Sequence, residues 1–282
     1  MTFDWRGGVH LVGSDLWFDA PRARGLNFVA HAGIKVSGAR VFCSEITAKG
    51  LRRLGRRTRP LAAPFGHPVT FGAHRVELLR SDLLPGAAQL RVDHEQGAAL
   101  YAGWIGGLAE PRDCDVLCLR LPESTGGESI ASIIEAARGG EALPILLASA
   151  LPEAYTVAWE LLRWGIKSRA HPRLHVRLRA VGLFAVPVFR GTLGDDEALL
   201  WPRDVRPSAA VAGLRRPHIV VGSVGASLET MAGFARATGA REIVLVGPGA
   251  TAVARRLSNE GLLARPIARP DQLDLFEGRA SA

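Results

Sequence analysis

The chain is short of the residues that most often carry chemistry or covalent staples. Its 282 residues hold three cysteines, Cys43, Cys114 and Cys118, an odd number set in apolar, strand-like runs. That excludes a disulfide framework, and the three read as reduced core thiols. Cys114 and Cys118 have no second pair with which to complete a zinc site. No run of eighteen apolar residues is free of charge, which excludes a long helical membrane span. The opening Met1-Thr2-Phe3-Asp4-Trp5-Arg6 lacks the basic-then-apolar layout of an export signal, so the expected compartment is the cytoplasm. Phosphate-loop and hydrolase signatures are also wanting. Gly247-Pro248-Gly249 follows a strand-like run, yet Pro248 removes a backbone donor and no Lys-Ser/Thr pair follows. Gly222-Ser223-Val224-Gly225-Ala226-Ser227 has no His and acid in a compelling order and reads as a loop.

What is present is a large apolar fraction and a strong positive charge. Hydrophobic residues make up 48% of the chain, enough for one large domain or two small ones. The formal charge of +8 and pI near 10.3 favour association with a polyanion, nucleoid included. Lys49, Arg52, Arg53, Arg56, Arg57 and Arg59 cluster tightly, and Arg215-Arg216 precede His218. Clustered cations are what phosphate contacts need, so the first six are the candidate nucleic-acid contacts, against the plainer reading of a solvated helix end and loop. No aromatics interleave with them as stacking platforms, so the DNA binding expected is weak and salt-sensitive.

Along the chain, residues 1–125 read as short strands over 9–12, 16–18, 26–30 and 41–43, a helix over 45–54, then strands over 69–71, 74–79, 88–94, 98–102 and 116–119. From 128 the pattern lengthens into helices over 129–138, 153–164 and 172–185, with a buried strand over 145–149. A Pro- and charge-rich passage over 192–217 follows. Residues 218–221, 228–238, 242–246 and 251–260 then alternate strand and helix.

Near the C-terminal end stands Gln272-Leu273-Asp274-Leu275-Phe276, after Pro270 and before a polar finish. Large apolar side chains on a solvated tail need a groove on another molecule. This spacing resembles the peptide by which bacterial replication and repair proteins dock on the sliding clamp. By that resemblance, Leu275 and Phe276 fill an apolar pocket, the Gln272 amide hydrogen-bonds at its rim and Leu273 takes a shallower site. Two or three such anchors carry most of an interface of this kind. The competing reading is a last half-buried strand on the body.

The order of segments from 15 to about 267 is similar to the metallo-β-lactamase fold with a β-CASP insertion. It is most similar to the bacterial ligase-associated DNA exonuclease family, especially over 26–40, 42–53, 64–93 and 239–266. The resemblance implies an α/β (α+β) chain: an αββα sandwich with a shortened β-CASP-like α/β insertion. The expected boundaries are 1–127 for the first half, 128–227 for the insertion, 228–266 for the return and 267–282 for a flexible tail. It also implies two metal ions held by a His-x-His-x-Asp-His loop, a further His, a bridging Asp and a late His. In this sequence the signature loop falls on His31-Ala32-Gly33-Ile34-Lys35-Val36, so His31 remains while Gly33, Lys35 and Val36 replace ligands. The further His falls on Leu83, the bridging Asp on Trp104 and the late His on Gly247. Lys35 has no lone pair to offer and repels a cation. Trp104 is expected to plug the space two hydrated ions would leave. Glu123-Ser124-Thr125 resembles the acidic motif opening the insertion, with Glu123 expected to pair with Lys35 or cap a helix.

The remaining histidines offer little. His67, His74 and His94 read as solvated or rim residues, and His171 and His175 sit on a basic helix with Arg169, Arg173, Arg177 and Arg179. The expected function is thus a pseudo-enzyme of DNA replication or repair, with neither metal nor cofactor, that binds the sliding clamp and another replication or repair protein. One alternative is a nuclease with a single-metal site built from His31, Asp82 and Glu123. Another is a structural subunit whose tail packs internally.

Overall fold

Among the described residues of the computed structural model, short apolar stretches broken by glycine and proline pair into three sheets. The structure describes residues 1–22, 25–38, 40–121, 135, 145–148, 151–194, 196–206, 211, 217–219 and 227–267. The first sheet has the order β1 (Phe3–Trp5), β2 (Val9–Leu11), β3 (Leu16–Phe18), β4 (Leu26–Phe28), β5 (Arg40–Ser44), β6 (Arg59–Ala63). It is antiparallel from β1 to β3 and parallel from β3 to β6. The second sheet is made of β7 (Val69–Phe71), β8 (His74–Arg80), β9 (Ala88–His94), β10 (Gly97–Gly103), β11 (Val116–Arg120), β16 (Glu242–Val246) and β17 (Ala264–Ile267), in that spatial order. Here β7 to β10 pair antiparallel and β10 to β17 parallel. The parallel strands β11 and β16 are nearly unbroken apolar runs because both of their faces are covered.

The described residues contain the helices α1 (Glu45–Arg53), α2 (Leu151–Arg163), α3 (Pro172–Ala180), α4 (Leu228–Ala237) and α5 (Ala250–Asn259). The two large sheets face each other across a core built on Phe3, Phe18, Phe28, Leu78, Leu90, Tyr101 and Val244. On the outer face of the first sheet, Ala48 and Leu51 of α1 meet Val29, Val41 and Cys43. On the outer face of the second, Met231 and Phe234 of α4 and Ala254 and Leu257 of α5 cover Leu100, Leu117 and Leu245. The layering is therefore helix, sheet, sheet, helix, within the α/β class expected.

Capping explains where α1 starts and ends. The Ser44 hydroxyl accepts a hydrogen bond from the Thr47 N–H at 3.1 Å, Glu45 lies in the first turn, and Arg52 and Arg53 lie in the last, each sign suited to the helix dipole. The Ser44 and Thr47 hydroxyls also both donate to the Gly86 carbonyl, at 2.6 and 2.9 Å, which ties the loop holding Leu83 to this helix.

A third, smaller sheet lies wholly between β11 and β16 in sequence. Its parallel strands are ordered β13 (Lys167–Ala170), β14 (Glu197–Pro202), β12 (Ile145–Ala148), β15 (Pro217–Ile219). Leu151, Val157 and Leu161 of α2 and Leu174 and Leu178 of α3 pack with Leu146 and Leu200 of these strands, and the same cluster takes in Ala32, Leu83, Leu84 and Ala87 of the body.

Several sequence expectations are corrected here. The passage expected to be irregular over 192–217 holds β14, a central strand; the run Ala198-Leu199-Leu200-Trp201 is fully apolar and buried, and its Pro-rich flanks masked it. Residues 59–63, given no element from the sequence, form β6 because their backbone completes the parallel ladder beside β5. The helix expected over 172–185 ends at Ala180, where Gly182 takes a left-handed φ of 94°. Strands β1, β13 and β17 were not anticipated. Most of the helix expected over 129–138 lies outside the described residues.

Candidate functional site

The parallel strands of both large sheets end at one pole, and the loops that leave them converge there. Asp19 follows β3, His31 follows β4, Trp104 follows β10, Leu121 follows β11 and Gly247 follows β16. A cavity of about 290 Å³ opens at this pole, lined by Asp19, His31, Lys35, Trp104 and Arg120 of the body and roofed by Leu151, Pro152, Arg177 and Asp204.

Asp19 is buried and holds a left-handed φ of 49°, a conformation that costs a non-glycine residue about 1–3 kcal/mol unless its surroundings fix it. Two hydrogen bonds do so: its carboxylate accepts from the Ala30 N–H at 2.8 Å and from the Tyr101 hydroxyl at 2.9 Å. Burial pushes its pKa up against the opposing pull of Arg120.

His31 is 3% exposed, and burial together with Arg120 pushes its pKa down to about 3, so the ring is neutral. Its Nδ1 accepts from the Gly33 N–H at 3.1 Å, which leaves the ring proton on Nε2. The imidazole stacks on Trp104 with centroids 5.8 Å apart, and the Arg120 guanidinium stands 5.6 Å from the same indole. The indole N–H donates to the Leu121 carbonyl at 3.0 Å. Trp104 is thus fixed as one wall of the cavity. The expectation that it plugs the space is corrected: pinned to Leu121 and half-buried, it lines the cavity and does not fill it.

The positions aligned with metal ligands are used for packing. A Cβ on Gly33 would come within 2.9 Å of the Leu151 Cβ, so glycine is what lets the start of α2 close over the His31 loop. Leu83 is buried in the cluster that includes α2 and α3. Val36 is buried beneath α1. Gly247 takes a φ of 120°, and a Cβ there would stand 3.1 Å from the Leu121 carbonyl. Lys35 is exposed and makes no hydrogen bond or ion pair among the described residues.

Of the alternative metal set, His31 and Asp82 line different cavities. The Asp82 carboxylate accepts from the Leu108 N–H at 2.8 Å and lines a separate groove of about 660 Å³ with Tyr155 and Trp159. Glu123, Ser124 and Thr125 lie outside the described residues, as do Arg215, Arg216 and the peptide Gln272-Leu273-Asp274-Leu275-Phe276. Among the described residues, no group of three or more His, Cys, Asp or Glu is placed to hold a metal ion.

The other sequence candidates fall in different places. Lys49, Arg52 and Arg57 are exposed around α1. Arg53 turns to the insertion, reaching the Arg179 and Ala180 carbonyls at 3.5 Å beside Phe184. Arg56 lies close enough to Arg177 to lower its pKa. Arg59 lines a broad groove of about 1410 Å³ at the opposite pole with Arg6 and Arg40. His67 donates to the Phe65 carbonyl at 2.9 Å, and His74 and His94 pack against each other at 5.0 Å. His171 caps α3 by accepting from the Arg173 N–H, and His175 donates to the Val186 carbonyl at 2.9 Å. Cys43, Cys114 and Cys118 are buried and free. Sequence reasoning missed Asp19 and Arg120, and it read Arg177 only as one cation of a basic helix. A polar residue directly after an apolar strand run was the available signal for the first two.

No family model matches the chain, and no curated protein matches it. Among solved structures it is similar to the crystal structure of a protein of unknown function from Enterococcus faecalis V583, with 10% identity and a TM-score of 0.55 over 87% of this chain and 79% of that one. That likeness is one of fold.

Proposed function

We propose that this protein is a catalytically inactive accessory factor of DNA replication or repair, with a metallo-β-lactamase-like sandwich and a shortened β-CASP-like insertion. It binds the bacterial sliding clamp through Gln272, Leu273, Asp274, Leu275 and Phe276. The observation that carries the non-catalytic part is the chemistry of the strand-end pole. Where the resemblance aligns donors for two cations, this chain has Gly33, Lys35, Leu83, Trp104 and Gly247, each of them unable to donate to a metal. His31, the remaining donor, has its Nδ1 bound to the Gly33 N–H and stacks on Trp104. These residues do not fit a metal pair, so no reaction step is drawn through one.

Partner binding rests on the peptide. Its two adjacent large apolar side chains follow a glutamine at the spacing a clamp groove accepts. Burying each contributes roughly 1.5–3 kcal/mol, less the cost of ordering the segment. Titrating clamp against the full chain tests this. Gln272→Ala should weaken binding, and Leu275→Ala with Phe276→Ala should abolish it. Binding that survives the double change sinks the proposal. Metal analysis of the purified protein tests the rest: stoichiometric zinc or manganese, or nuclease activity across divalent ions, would favour the single-metal nuclease instead.

A further inference from the structure

The cavity at the strand-end pole is walled by cations from three elements. Lys35 comes from the His31 loop, Arg120 from the end of β11 and Arg177 from α3. Two carboxylates share the lining, and each already has partners. Asp19 accepts from Ala30 and Tyr101, and Asp204 accepts from Arg173 at 2.9 Å. Lys35 and Arg177 make no hydrogen bond or ion pair among the described residues. Arg177 is only partly exposed, and burial and then Arg173 push its guanidinium pKa down, against Asp204, with Arg56 adding to the repulsion. A half-buried cation beside other cations, without a bonded carboxylate, is an arrangement that an anion would relieve.

We propose that this cavity binds a phosphate group, free or as a small monoester, between Lys35, Arg120 and Arg177. The tetrahedral dianion matches the charge: the Arg177 guanidinium fork and the Lys35 ammonium supply charge-assisted hydrogen bonds, and Arg120 adds positive charge to the wall. At about 290 Å³ the space also admits the organic part of a small monoester. His31 stays neutral and adds no charge, and the stacked His31 and Trp104 rings form a rigid wall that holds Arg120 in place. This inference rests on the metal-free reading of the site and is independent of clamp binding.

The test is calorimetric titration of the full chain with inorganic phosphate, with a mononucleotide, and with the corresponding nucleoside. The expected result is saturable binding of the first two and none of the third. Lys35→Ala and Arg177→Ala should each weaken phosphate binding about tenfold, the loss of one charge-assisted bond. Lys35→Arg should largely retain it. Unchanged thermal midpoints would show that the variants are folded. Nucleoside binding as tight as mononucleotide, no saturable phosphate binding, or affinity untouched by either alanine change would each overturn the proposal. Metal content measured on the same sample separates the failures. Bound zinc or manganese defeats the metal-free reading, whereas a metal-free protein indifferent to phosphate defeats only this inference.

Discussion

Gly33→Ala is the smallest change that tests whether the His31 loop and the insertion form one packed unit. The added methyl would sit 2.9 Å from the Leu151 Cβ and 3.0 Å from His31 Nδ1, both inside ordinary contact distance. Neither neighbour can yield cheaply. Leu151 begins α2 and is 3% exposed, and His31 is held between Trp104 and the Gly33 N–H. Overpacking of this kind costs about 1–3 kcal/mol. For a chain of this size each kcal/mol lowers the melting midpoint by roughly 2–4 °C, so calorimetry should record a fall on the order of 5 °C. Leu151→Gly removes the atom that clashes. In that background the cost of Gly33→Ala should shrink, giving a coupling between the sites that a double-mutant cycle reads directly. An unchanged midpoint, or the same penalty in both backgrounds, would refute the packing account of why this position is glycine.

Two further outcomes are expected. His31 ordinarily titrates near 6.5 but in the folded chain near 3, so between those values the unfolded state binds the extra proton. Its contribution to stability is full above pH 6.5 and is lost as the pH falls, by at most about 1.4 kcal/mol per pH unit. Asp19, raised by burial, acts in the opposite sense, and His74 and His171, lowered by burial, act in the same sense, so urea unfolding between pH 5 and 7 is compared between the chain and a His31 variant. His31→Asn should flatten the slope there, and an unaltered slope would contradict the assignment. Burial pushes Cys43 up to about 12 and Cys114 up to about 11, and it raises Cys118 as well. A thiol reagent at neutral pH should leave all three unmodified until denaturant is added, and rapid native labelling would show the core to be open.

The sandwich was largely readable because its strands follow simple rules. β7, β9 and β16 carry clear alternating or continuous apolar runs between turn residues, and their bounds emerged from sequence unaltered. The helix expected from residue 45 starts there, directly after the capping Ser44. What escaped was structure that depends on neighbours. β6 is a strand only because β5 offers its edge, and β14 hides within a proline-rich stretch because burial, not periodicity, selects it. At the site, the replacements at 33, 35, 83, 104 and 247 could be read residue by residue. Their new uses could not: that Gly33 admits α2, or that Arg177 from a helix far along the chain joins Lys35, depends on how the insertion docks.

Because β17 runs parallel to β16, its last residue, Ile267, lies at the pole where the cavity opens. Four residues separate it from Gln272, a leash of at most about 18 Å when fully stretched. If the pentapeptide holds a clamp ring, the tether to that ring leaves the body from this pole and not from the end where the opposite groove lies.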